Sequence, residues 1–69
     1  MSSIIEVKVS FDPPNSSYGN LKGEIVAKFE RQFLDLTLAQ YDGNLSAAAK
    51  ALSMDRKHLH DMAKRHGLR

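Results

Sequence analysis

The chain has 69 residues, no cysteine and a formal net charge of +2. A chain this short supports one small hydrophobic core and can gain stability by burying surface against a second copy, while disulfides and thiolate zinc cages are excluded. No apolar run approaches the roughly 20 residues that span a bilayer, and the opening MSSIIEVKVS lacks the basic segment and apolar core of a signal peptide, so a cytoplasmic protein with no membrane partner is expected.

The first element reads as a strand. In IIEVKVSF, Ile5, Val7, Val9 and Phe11 alternate with Ile4, Glu6, Lys8 and Ser10, and this period of two with β-branched residues predicts extended structure over Ile4–Phe11. Pro13 and Pro14 then remove backbone donors and end it. No second alternating run exists to pair with it. The segment is therefore either a strand that pairs with its symmetry mate across a dimer axis or a flexible leader, and residues 1–19 are assigned as leader or linker.

From Leu21 the period changes. Leu21, Ile25, Phe29, Phe33 and Leu36 recur every three or four residues, which predicts a helix of about twenty residues capped by Asn20 and ending at Asp42-Gly43, with Gly43 at the left-handed C′ position. Glu24 and Lys28 stand in the favourable i,i+4 order. Val26, Leu34, Leu38 and Tyr41 widen the apolar stripe beyond one face, so the helix needs two partners. One is the C-terminal helix pair; the other is the same helix of a second subunit or, alternatively, the leading strand. Ile25, Val26, Phe29, Phe33 and Leu36 are the candidate dimer-interface residues.

Two short helices follow back to back. Asn44 is placed to cap the first, which carries Leu45, Ala48, Ala49 and Leu52 on one face. Ser53-Met54-Asp55 makes a tight turn with Met54 buried, and Asp55 caps the second helix at the positive end of its dipole. Leu59, Met62, Ala63 and His66 form the inner stripe of that helix, Gly67 supplies a left-handed exit, and Leu68 closes the C-terminal cap. The opposite face bears Arg56, Lys57, His60, Asp61, Lys64 and Arg65.

Charge follows the same division. Residues 1–44 hold four Lys/Arg against six Asp/Glu, whereas residues 45–69 hold six against two, with all three histidines besides. A basic helix braced by an apolar one across a tight turn is a helix-turn-helix, which sets the N-terminal residues of the second helix against base edges in a major groove.

The run FERQFLDLTLAQYDGNLSAAAKALSMDRKHLHDMAKRHGL resembles the C-terminal DNA-binding domain shared by the factor for inversion stimulation, Fis, and the NtrC-type bacterial enhancer-binding activators. The features that carry it are Phe29-Glu30-Arg31, Phe33-Leu34, Gly43-Asn44, Ala48-Ala49, Leu59 and Lys64-Arg65-His66-Gly67-Leu68, within Leu21–Leu68. The resemblance implies an all-α homodimer over residues 20–69, with long N-terminal helices at the dimer core and one helix-turn-helix per subunit on a two-fold-symmetric operator. It implies a bacterial, nucleoid-associated transcription regulator whose partner is double-stranded DNA, or, if the chain is part of a larger enhancer-binding activator, the piece that positions that activator.

By the same resemblance Arg56 is the principal base reader, Asp55 a cap that touches DNA, and His58 and His60 further contacts. Asn44 and Ser46 are implied phosphate contacts, and Lys64 and Arg65 the basic tail. Lys57 is read from its charge as a phosphate partner. Three departures stand out: Ser53 replaces the usual turn glycine, Ala47 a common basic residue, and Asp61 another. Asp61 lies four residues from both Lys57 and Arg65, so an intrahelical ion pair is its expected role.

Other chemistries find little support. His58 and His60 lie about 200° apart round a helix and cannot grip one ion, so no metal or other cofactor is expected. With neither a cysteine nucleophile nor a Gly-rich phosphate loop, the chain is not expected to be an enzyme. The competing readings are an oligomerisation or interaction module and a nonspecific architectural DNA-bending protein.

Overall fold

The computed structural model describes residues 3–68, which form three helices in chain order: α1 (Tyr18–Gln40), α2 (Leu45–Ala51) and α3 (Arg56–Arg65). The fold is all-α, as expected. Each helix starts on a side-chain cap. Ser17 Oγ accepts from Asn20 N at 3.1 Å, Asn44 Oδ1 from Ala47 N at 3.1 Å, and Asp55 Oδ1 from Lys57 N at 3.2 Å. The last two caps are those expected. The first corrects the expectation for Asn20, which is already inside α1 and donates to the true cap. Serine caps as well as asparagine does, and only the fold decides between two such residues three apart.

All three helices end on the same device. The N–H of Gly43 donates to the carbonyl of Leu38, that of Met54 to Ala49 and that of Leu68 to Ala63, each at 2.9 Å. These are the long bonds of Schellman motifs, and each requires a left-handed residue just before the donor. The residues there are Asp42 (φ 51°), Ser53 (φ 56°) and Gly67 (φ 73°). Gly67 is as expected. At the end of α1, however, C′ is Asp42 and not Gly43, which follows it at φ 77°.

Ser53 therefore holds, with a Cβ, a conformation that costs an L-residue roughly 1–2 kcal/mol. Ser53→Gly removes that strain at some cost in unfolded-chain entropy, and a net gain of about 0.5–1 kcal/mol is expected. Thermal melting of the two proteins checks it, with the glycine variant melting several degrees higher.

The core sits where the three helices meet. Leu34 of α1, Leu45, Ala48 and Ala49 of α2, and Leu59, Met62 and Ala63 of α3 are buried, with Phe33, Leu38, Tyr41, Met54 and Leu68 packed around them. Alanines at the α2 seam let α3 approach closely, so a leucine from each side fills the centre. Leu52 departs from its expected place: it is the C-cap of α2 and exposed, because the chain leaves the helix before that side chain can turn inward.

Ahead of α1 the chain is extended but forms no strand among the described residues. It lies along α1, where the Gln32 carboxamide bonds both the N–H and the C=O of Glu6, and Lys28 Nζ donates to Lys8 O at 2.7 Å. The alternation survives as burial: Ile5, Val7 and Val9 are half-buried while Ile4, Glu6, Lys8 and Ser10 are exposed. Phe11 is exposed and falls outside the pattern. A turn then carries the chain into α1, with Asp12 O accepting from the N–H groups of Asn15 and Ser16.

Candidate nucleic-acid interface

α3 turns Leu59, Met62 and Ala63 into the core, which leaves Arg56, Lys57, His58, His60, Asp61, Lys64 and Arg65 exposed. With about 100° per residue, Lys57 and Lys64 stand nearly opposite the buried stripe, whereas Arg56 lies on the flank nearer the α2–α3 turn. Asp55, Arg56, Lys57 and His60 together line a shallow concavity of about 470 Å³ at the N-terminal end of α3. Arg56, Lys57, His60 and Lys64 are thus brought together on one side of one helix. His58 and Arg65 lie on the other flank, about 20° apart round the helix.

Electrostatics separates this face from the rest of the molecule. Two of the three cations of α1 are engaged locally, Lys28 with Glu24 at 3.3 Å and Arg31 with Asp35 at 3.4 Å. Among the described residues, Arg56, Lys57, Lys64 and Arg65 have no carboxylate within 4.0 Å. The expectation that Asp61 neutralises Lys57 or Arg65 is therefore corrected: its carboxylate lies instead near the ring of the adjacent His60, with Nδ1 at 3.8 Å. An exposed i,i+4 pair contributes only about 0.3–0.5 kcal/mol, so the spacing alone does not secure one. The four cations are left for an external anion.

The remaining expected contacts lie on the adjacent edge. Asn44 and Ser46 are exposed at the start of α2, but the Oδ1 of Asn44 is occupied by its capping bond. Asp55 likewise commits Oδ1 to the backbone of Lys57. Each cap thus fixes its helix terminus and leaves one further polar atom for a contact.

Two side chains of α1 that were not singled out as functional hold α3 in place. His66 Nε2 lies 3.0 Å from Glu30 Oε1, in a half-buried pair with side-chain exposures of 18% and 19%. An ionised carboxylate only accepts, so the ring donates from Nε2. Arg31 Nη1 donates to the His66 carbonyl at 3.0 Å, occupying an orphan acceptor at the end of α3. Glu30, Arg31 and His66 all stand in the runs that carry the family resemblance, yet their pairing across 36 residues has no sequence period to announce it. The effect is to fix the angle between α3 and the long helix.

The candidate dimer residues are distributed as follows. Ile25, Val26, Phe29 and Leu36 are exposed at 43%, 44%, 44% and 38%, while Phe33 is half-buried against the core and stacks on Phe29 with ring centroids 5.8 Å apart. Among the described residues no helix is long and apolar enough to cross a membrane. None of the described His, Asp and Glu side chains gather into a group of three that could hold a metal ion.

No curated protein and no solved structure matches the chain. A family model does, that of the bacterial regulatory proteins of the Fis family, over residues 25–61. The match runs from the apolar stripe of α1 through α2 and the turn to the sixth residue of α3, more than half of the chain. Three helices with a capped basic helix braced by a short apolar one are the helix-turn-helix of a DNA-binding regulator, and the chain belongs to the Fis family of bacterial regulatory proteins.

Proposed function

We propose that the protein is a homodimeric, sequence-specific DNA-binding regulator, with α3 of each subunit in a major groove and α1 forming the dimer interface. The observation that carries the reading is the set of four cations on α3 that lack a carboxylate partner, on a helix whose two ends are pinned by Asp55 and by the Glu30–His66–Arg31 contacts. A rigid basic helix costs little ordering on binding and presents its charges as a unit. Arg56 is the base reader, since its first-turn position brings a planar fork to guanine O6 and N7. Lys57, Lys64 and Arg65 contact phosphate, and Ser46 with the N-terminus of α2 contacts the backbone alongside. Asp55, Asn44, His58 and His60 complete the contact surface.

Selection from a mixed-sequence duplex library at two salt concentrations, with Arg56→Ala in parallel, tests this. An enriched inverted repeat is expected, with binding that weakens steeply as salt rises. Arg56→Ala should lose about 1–3 kcal/mol per half-site and relax preference at one base position. Binding that is salt-sensitive but unselective, and that survives Arg56→Ala, would mark an architectural DNA binder instead. A stable dimer that binds no duplex would leave an oligomerisation module.

A further inference from the structure

The extended segment before α1 has a free edge and a sequence that is complementary to itself. In extended chain, the N–H and C=O of one residue point to one edge and those of the next residue to the other. The groups of Glu6 and the carbonyl of Lys8 face α1, where Gln32 and Lys28 bond them. The groups of Ile5, Val7 and Val9 therefore face the other edge, and among the described residues nothing bonds them. An unpaired edge of this kind is a template for a second strand.

We propose that this edge pairs with the same segment of a second copy, as an antiparallel two-stranded ribbon centred on Val7. The register follows from the pattern. Centring on Val7 sets Val7 opposite Val7 and Ile5 opposite Val9, so all the half-buried apolar residues share one face. The same register sets Glu6 of each copy opposite Lys8 of the other, giving two cross-strand ion pairs on the outer face. It also makes residues 5, 7 and 9 the hydrogen-bonded positions, the ones whose backbone groups are free. Glu6 and Lys8 then fall at non-hydrogen-bonded positions, where opposing side chains come closest and where their own backbone groups remain with α1. A shift of one residue would put Ile5, Val7 and Val9 opposite residues of the other face and lose all three agreements.

The ribbon rests on the dimer proposed above, and its place is continuous with that interface. Gln32 follows Ile25 by seven residues, two helical turns, so the residue that anchors Glu6 stands at the rim of the exposed apolar stripe. Two subunits joined through α1 carry their leaders beside the seam.

Hydrogen exchange at the amides of Ile5, Val7 and Val9, measured above and below the dimer dissociation concentration, tests the proposal together with charge reversals. Protection at all three amides is expected in the dimer and absent from the diluted monomer. Glu6→Lys and Lys8→Glu each place like charges opposite one another twice, and each should reduce that protection roughly tenfold. The double variant Glu6→Lys/Lys8→Glu restores opposite charges and should restore protection. Both side chains are exposed, so helix content is expected to stay unchanged in every variant. A stable dimer with unprotected amides at 5, 7 and 9, or a double variant as weak as the single ones, would overturn the ribbon and leave the α1 dimer standing. A protein that stays monomeric at the highest concentration reached would overturn both.

Discussion

Phe29→Glu is expected to convert the protein to a monomer while leaving its three-helix fold intact. Phe29 is 44% exposed and lies among Ile25, Val26 and Leu36, whereas the buried core is built from Leu34, α2 and α3. A carboxylate in the apolar seam has no partner to offset its lost hydration, so association through that face fails. The isolated subunit keeps its core and should keep its helical circular dichroism, with a small loss from the Phe29–Phe33 stack. The consequence for function is larger than for stability. A dimer on two half-sites binds the second one intramolecularly, an avidity of about 10²–10⁴ that the monomer forfeits. Sedimentation of the variant, with titration onto a two-half-site duplex and onto a single half-site, checks both statements. Single half-site affinity should be nearly unchanged. A variant that remains dimeric would place the interface elsewhere.

How far the sequence carried depended on whether a feature is periodic. The three helices, the Asn44 and Asp55 caps, the Gly67 exit and the inward stripe of α3 all follow from spacing within one element, and the structure has them. The start of α1 did not, because Ser17 and Asn20 are equally able to cap and two glycines weaken the helical signal between them and Glu24. At the end of α1 Asp42 took the left-handed position expected of Gly43, since the motif counts residues from the last helical turn and not from the nearest glycine. The leader is the clearest case. Its alternation was legible, but its docking runs through backbone groups and a Gln32 carboxamide, neither of which leaves a pattern in the chain. The Glu30–His66 pair is hidden for the same reason. On the candidate interface, charge and position were readable from the sequence, while the partner of Asp61 was not. Spacing brings Lys57 and Arg65 within reach, and only the solvated conformations decide that neither closes.

Leu59→Ala carries the largest expected effect on stability and joins it to DNA binding. Leu59 and Leu34 are fully buried and are the two largest side chains that meet that standard, one from α3 and one from α1. Truncation leaves a cavity in a core whose other buried apolar members are Leu34, Leu45, Ala48, Ala49, Met62 and Ala63. The expected loss is about 2–5 kcal/mol. A chain of this length has a net stability of about 5 kcal/mol or less, so a large fraction should be unfolded at room temperature. Leu52→Ala is the control: the residue is an exposed C-cap, and a change within about 0.5 kcal/mol is expected. DNA then separates a lost fold from a lost contact. Duplex at 100 times the dissociation constant stabilises the folded state by about 2.7 kcal/mol, so its addition should recover helical signal in Leu59→Ala. Arg56→Ala, by contrast, should melt like the unaltered protein and gain less from DNA at the same concentration. A Leu59→Ala protein that loses under about 1 kcal/mol would mean that α3 is held by its ends, through Asp55 and the Glu30–His66–Arg31 contacts, and not by its core. One that unfolds and regains no helix on duplex would mean that DNA binding is not coupled to this fold.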